Sequence, residues 1–151
     1  MPFCGLFYHL VWATKNRLPL IVPEDEEKLH AYLRQKAGEL ECRVFAVNGW
    51  QDHVHLVMSI PAKLSVSEVV KRLKGASSHE FLDLYWQRGF GALSVSERNL
   101  GAAMEYVNRQ KEHHAQQTAF PKLERCDDEL DEGNSLKDDI GVYVVEGTDL
   151  F

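Results

Sequence analysis

From Phe3 to Thr14 the chain reads FCGLFYHLVWAT, an apolar and aromatic run without helical spacing, which predicts a buried strand over 3–14. A basic, proline-ended loop follows over 15–23. Residues 24–40 change period. Leu29, Tyr32, Leu33 and Ala37 recur at helical spacing behind an acidic first turn, which favours the positive end of a helix dipole. CRVFAVNGW (42–50) and HVHLVMSI (53–60) return to strand character, with Asn48-Gly49 as a turn signal and Trp50-Gln51-Asp52 lengthening the connection. In the second of these, Val54, Leu56, Met58 and Ile60 share one face, which predicts the core side.

The pentapeptide LSVSE occurs at 64–68 and again at 93–97. Five residues are too few for a structural repeat, and both copies read as capping boxes, Ser65 with Glu68 and Ser94 with Glu97, each opening a helix. The first helix carries an apolar stripe of Val66, Val69, Val70, Leu73 and Phe81; the last carries Leu100, Ala103, Met104 and Val107. Between them, 86–95 reads as a glycine-bent loop feeding a short fourth strand. The order β-α-β-β-α-β predicts an α+β, ferredoxin-like antiparallel sheet with an additional C-terminal helix.

At 151 residues the chain has the size of one domain. No apolar run approaches the roughly 20 residues of a membrane span, and no signal peptide is recognisable, so a cytoplasmic location is expected. Cys4, Cys42 and Cys126 show no CxxC spacing and read as reduced thiols. The net charge of −6 is unevenly placed. Residues 1–116 carry 14 Lys and Arg against 13 Asp and Glu, whereas 117–151 carry 3 against 10. The body is therefore near neutral with local basic clusters, which keeps a nucleic-acid surface open. The expected organisation is a domain over 1–116 and an acidic tail over 117–151.

Candidate chemistry sits on the strand 53–60. His53 and His55 alternate with the core residues and so stand side by side on the opposite face, as two imidazoles must to hold one cation. A polar face on a half-exposed strand would look the same. On the last helix, Tyr106 and Gln110 are i and i+4, on a face distinct from the apolar stripe, and His113 and His114 follow. Those histidines would also suit a solvated helix end near the negative pole of its dipole.

Together, YHLVWATKNRLPLI, QDHVHLVMSIPAKLSVSEVVKRLKG, WQRGFGALSVSERNL and YVNRQKEHH resemble the HUH-superfamily single-tyrosine transposases of the insertion-sequence-200-like group. The resemblance runs in order from about Phe7 to His114 and stops before the tail. It implies cleavage and rejoining of single-stranded DNA at insertion-sequence ends through a 5′-phosphotyrosine on Tyr106. It also implies a divalent metal, Mg²⁺ or Mn²⁺, on His53, His55 and Gln110, recognition of DNA hairpins, and a homodimer in which active sites can be shared between subunits. No GxxxxGK[ST] loop is present, in keeping with chemistry that needs no nucleotide.

Lys15, Arg17, Arg72, Lys74 and Arg88 are candidate phosphate contacts, and each is equally readable as a solvated basic residue. Trp86 and Phe90 can stack on an unpaired base but read better as core. Three other readings stand beside the transposase. A domesticated REP-associated tyrosine transposase would process chromosomal hairpins; the short chain without a long basic extension favours the insertion-sequence type. A non-catalytic hairpin-binding module would not need the four catalytic positions that are filled here. A metal-dependent hydrolase using water would keep its activity without Tyr106.

Overall fold

The computed structural model describes residues 5–116 and Glu124. The elements run β1 (Phe7–Ala13), α1 (Pro23–Glu39), β2 (Arg43–Trp50), β3 (His53–Ser59), α2 (Val66–Glu80), β4 (Gly91–Val95), α3 (Leu100–Asn108) and α4 (Gln110–Gln116). The strands form one antiparallel sheet in the order β2-β3-β1-β4, the split β-α-β arrangement expected of a ferredoxin-like fold. The acidic tail predicted over 117–151 lies outside the described residues apart from Glu124, as do Cys4 and Cys126. Cys42 is a free, buried thiol. Among the described residues no helix is long and apolar enough to cross a membrane.

Both faces of the sheet are covered. On one, Leu10, Trp12, Val54, Leu56 and Met58 pack against Leu29, Leu33 and Ala37 of α1 and Val69, Val70 and Leu73 of α2. On the other, Ala46, Val57 and Val95 pack against Ala103 and Val107 of α3. Alternation along β3 therefore delivers His53 and His55 to a second interior and not to solvent: their exposures are 1% and 0%. The half-exposed polar strand is excluded, and two buried imidazoles require partners.

Local chemistry sets the element ends. Pro23 with Glu24, Asp25 and Glu26 opens α1, where proline costs no hydrogen bond and acids meet the dipole. The Ser65 side chain accepts from the Glu68 amide and caps α2, as expected.

The second predicted capping box is corrected. Ser94 lies inside β4 opposite Tyr8, and Ser96 makes the cap by accepting from the Asn99 amide, opening a short 3-10 turn over Glu97–Asn99. The hairpin between β2 and β3 turns at Gln51-Asp52, whereas Asn48 and Gly49 belong to β2. Gly49 answers to close packing: a Cβ there would stand 2.2 Å from the His53 carbonyl oxygen. The final helix is two helices, broken at Arg109, which leaves helical geometry at φ −104° and ψ 23°.

Candidate metal and nucleophile site

The site forms where β3 passes beneath the junction of α3 and α4. Lys111, next in sequence to Gln110, fastens that junction to the body: its ammonium donates to Glu26 (2.7 Å), Asn48 Oδ1 (3.0 Å) and the Gly49 carbonyl (2.8 Å). Asn48 Nδ2 donates in turn to the Asn108 carbonyl at 3.1 Å. With α4 held on β2 and α1, Gln110 is fully buried, with Oε1 3.3 Å from His53 Nε2 and 3.0 Å from His114 Nε2. Tyr106, also buried, stands edge-on to His55 with ring centroids 6.1 Å apart and stacks on His113 at 4.5 Å. One chain thus brings together His53, His55, Tyr106 and Gln110, the four residues singled out in the sequence.

Each imidazole is held from behind. His53 Nδ1 lies 2.7 Å from Asp52 Oδ1, and His55 Nδ1 lies 2.8 Å from His9 Nε2. His9 comes from β1, diagonal to His55 across the strand pair, and Ala13 opposite His53 leaves room for that ring. Both Nε2 atoms are left facing the same point. A carboxylate oxygen is already there: Glu124 Oε1 is 3.1 Å from His53 Nε2 and 3.0 Å from His55 Nε2. The other Glu124 oxygen accepts the Tyr106 hydroxyl at 2.5 Å.

The electrostatics follow from burial and from this carboxylate. Burial works against charge on Glu124, but hydrogen bonds to His53 and His55 outweigh it and hold the carboxyl far below its usual range. Burial alone would also lower His53; its bonds to Asp52 and Glu124 prevail and raise its pKa to about 9. His55 goes the other way, to about 4, because burial outweighs Glu124. Burial, reinforced by His55, takes His9 to about 3 and keeps it neutral.

The donor set suits a divalent cation. Two imine nitrogens, a carboxylate oxygen and an amide oxygen converge, and the donor atoms of His53, His55 and Glu124 all lie within 4.8 Å of one another. Partners behind metal-binding histidines are the usual means of fixing ring orientation, and Asp52 and His9 take that place here. Neither residue was singled out from the sequence as part of the site. His9 was legible in principle, as the polar member of the His9-Val11-Ala13 face of an otherwise apolar strand. Glu124 lies in a segment without periodicity, and no sequence signal marked it.

The basic candidates fall elsewhere. Lys15 and Arg17 occupy an exposed 3-10 turn after β1, and Arg17 approaches Asp52 at 3.9 Å. That turn is tied to the loop carrying Arg88 by the Lys15 amide on the Tyr85 carbonyl (2.8 Å) and the Asn16 amide on Gln87 Oε1 (3.0 Å). Lys74 is engaged within the fold, donating to the Gln87 and Gly89 carbonyls at 2.8 and 2.6 Å. Arg72 pairs with Glu68 on the open face of α2. Trp86 donates to Ser77 Oγ at 2.8 Å and packs edge-on against Trp12, and Phe90 packs on the same core, as expected of core residues.

The fold is thus a ferredoxin-like sheet whose buried His53-His55 pair faces a tyrosine carried on a helix. The family model described as "Transposase IS200 like" matches residues 3–110, and the chain belongs to that family of DNA strand-transferring transposases. It is 30% identical over 117 residues to the ISDra2 transposase TnpA of Deinococcus radiodurans, covering 70% of this chain and 84% of that protein. It is equally identical, over the same length, to the transposase for insertion sequence element IS200 of Salmonella typhimurium, of which 76% is covered. A crystal structure described as a transposase from Deinococcus radiodurans R1 superimposes with a TM-score of 0.57 at 27% identity, covering 73% of this chain and 95% of that one. A REP-associated tyrosine transposase bound to a REP hairpin shares the fold, with a TM-score of 0.59 at 12% identity over 79% of this chain and 73% of that one.

Proposed function

We propose that this chain cleaves and rejoins single-stranded DNA at insertion-sequence ends with Tyr106 as nucleophile. The observation that carries the reading is convergence: the Tyr106 hydroxyl and the two Nε2 atoms of His53 and His55 all reach the same carboxylate, at 2.5, 3.1 and 3.0 Å. A nucleophile and a cation cradle that share one partner can share one scissile phosphate.

A phenol with a pKa of about 10 is a weak nucleophile near neutrality and needs an activated electrophile. His53, His55 and Gln110 would hold Mg²⁺ or Mn²⁺, which would supply that activation by drawing charge from the scissile phosphate. The protein's own residues do the rest. Burial keeps Tyr106 away from bulk water, and the His113 ring fixes its plane. Glu124 orients the hydroxyl by accepting its hydrogen bond, and the proton passes to water as the phenolic oxygen bonds to phosphorus. The bond from phosphorus to the 3′ oxygen breaks, and that oxygen leaves as a 3′-hydroxyl after taking a proton from water. The 5′-phosphotyrosine keeps the energy of the phosphodiester, so a second 3′-hydroxyl can displace Tyr106 and restore a continuous strand.

Arg17 lies beside Asp52, and the exposed turn it shares with Lys15 is tied to the loop carrying Arg88, which suits a path for the strand's phosphates. The hairpin carried by the REP-associated neighbour is the model for the structured DNA this chain would grip, and a homodimer is the expected assembly. A covalent-trapping assay with labelled single-stranded DNA from the gene's own flanks tests the reading. A denaturation-resistant adduct that needs Mg²⁺ or Mn²⁺ and disappears in Tyr106→Phe is expected. Cleavage that persists in Tyr106→Phe would show water to be the nucleophile and overturn it.

A further inference from the structure

Glu124 belongs to no part of the site foreseen in the sequence, yet it touches most of it. Its Oε1 lies 3.1 Å from His53 Nε2, 3.0 Å from His55 Nε2 and 3.4 Å from His114 Nε2; its Oε2 accepts Tyr106 Oη at 2.5 Å and faces Gln110 Nε2 at 3.5 Å. We propose that Glu124 is a ligand of the divalent cation, one carboxylate oxygen completing the cradle with His53 and His55 while the other aims the Tyr106 hydroxyl. The proposal rests on the cation reading of the preceding section and adds to it a residue beyond the histidines and Gln110.

Three observations carry it. The first is spacing. Adjacent ligands around an octahedral ion with bonds of about 2.1 Å stand about 3.0 Å apart, the bond length multiplied by the square root of two. The separations of Glu124 Oε1 from the two Nε2 atoms, 3.0 and 3.1 Å, match such an edge, and the 3.3 Å between His53 Nε2 and Gln110 Oε1 is close to it.

The second is orientation. Asp52 and His9 occupy the Nδ1 atoms, so both rings present Nε2 to the same Glu124 oxygen. Such backing gives a histidine one defined ligating nitrogen. The third is chemistry. Mg²⁺ and Mn²⁺ prefer hard oxygen donors, and a site of two neutral imidazoles and an amide supplies no negative charge. Glu124 supplies one, from a position where its second oxygen remains free to hold the nucleophile.

This arrangement makes Glu124 part of the active centre. Glu124 follows Gln110 by 14 residues in sequence and stands beside it in space. Cradle and nucleophile are thereby joined through one side chain, and loss of that side chain should weaken both.

The test is calorimetric titration of the full-length protein with Mn²⁺, comparing the unaltered chain with Glu124→Gln and Tyr106→Phe. Glu124→Gln should bind Mn²⁺ about tenfold or more weakly, while Tyr106→Phe should stay within about threefold of the parent. Equal or tighter binding by Glu124→Gln would overturn the proposal, since the carboxylate would then merely fill the place an ion takes. A parent chain that binds no Mn²⁺ would overturn the cation reading itself, so the two failures are distinct. For positioning, adduct formation is followed at saturating Mn²⁺ and DNA. A rate about tenfold or more below the parent, with DNA affinity unchanged, is expected for Glu124→Gln. An unchanged rate would remove the role assigned to its second oxygen.

Discussion

His9 Nε2 and His55 Nδ1 lie 2.8 Å apart between two stacked, fully buried rings from neighbouring strands. One nitrogen must donate and the other accept. If His55 donates, its Nε2 keeps a lone pair for a cation; if His9 donates, His55 Nε2 carries the proton and donates it to Glu124. His9 thus biases whether His55 is ready to ligate. It does so at a cost, because His9 Nδ1 is buried without a hydrogen-bond partner. His9→Leu removes that orphan and leaves another on His55, so stability should change by only about 1 kcal/mol. Mn²⁺ affinity should nevertheless fall about tenfold. Calorimetry beside a thermal melt checks both; a large loss of stability with intact Mn²⁺ binding would make His9 a packing residue only.

Asp52 does for His53 what His9 does for His55, but with a charge. Its carboxyl, held below its usual value chiefly by the bond to His53, fixes Nδ1 as a protonated nitrogen and turns Nε2 toward the Glu124 oxygen, where a cation would sit. Asp52→Asn keeps the shape and removes the charge. Mn²⁺ affinity should drop about 10- to 100-fold, with adduct formation falling in step at limiting Mn²⁺ and recovering at saturation. A loss that no amount of Mn²⁺ restores would place Asp52 in DNA binding, through its contact with Arg17, and not behind the cradle.

How far the site was legible depends on the range of the signal. Strand alternation put His53 and His55 on one face because that pattern is local; the i, i+4 spacing brought Tyr106 and Gln110 together although the helix breaks at Arg109 between them. That the two faces meet is a tertiary fact, carried by long-range bonds such as Lys111 to Glu26 and Gly49. Helix and strand order was readable throughout. Errors gathered where one short motif permits two structures: LSVSE caps α2 in its first copy, but in its second most of it lies in β4 and the cap passes to Ser96. Asn48-Gly49 looks like a turn, yet its glycine is needed for close packing inside β2. Glu124 was invisible for the same physical reason, since its contacts with His53, His55 and Tyr106 are tertiary and its neighbours in sequence carry no pattern that marks them.

Gly49 gives that reading a direct check against a second glycine. A methyl group at Gly49 would meet the His53 carbonyl oxygen at 2.2 Å, a backbone atom that cannot swing aside. Gly49→Ala should destabilise the fold by about 1–3 kcal/mol or more and shift His53 in the cradle. Gly75, inside α2, has nothing within 4 Å of such a methyl group. Gly75→Ala should therefore stabilise by about 0.5–1 kcal/mol through helix propensity. Urea titrations of the two variants should move in opposite directions; movement in the same direction would mean that close approach is not what Gly49 serves.

His30 sets a pH dependence separate from the cradle. Burial lowers its pKa from 6.5 to about 4 despite the nearby Glu26, and its Nε2 has no hydrogen-bond partner. The unfolded chain therefore binds a proton at this residue between about pH 6.5 and pH 4 that the folded chain does not. Stability from this group is complete above the unfolded value, is lost as pH falls through that window, and changes no further below it. The shift corresponds to about 3 kcal/mol across the window. His30→Leu removes the titration, so the stability difference between variant and parent should move in the variant's favour by about 2 kcal/mol from pH 7.5 to pH 4.5. Taking the difference cancels the acid losses that Glu124 and Asp52 impose on both proteins. Parallel stability profiles for the two, measured by urea unfolding across that range, would show that His30 titrates alike in the folded and unfolded chains.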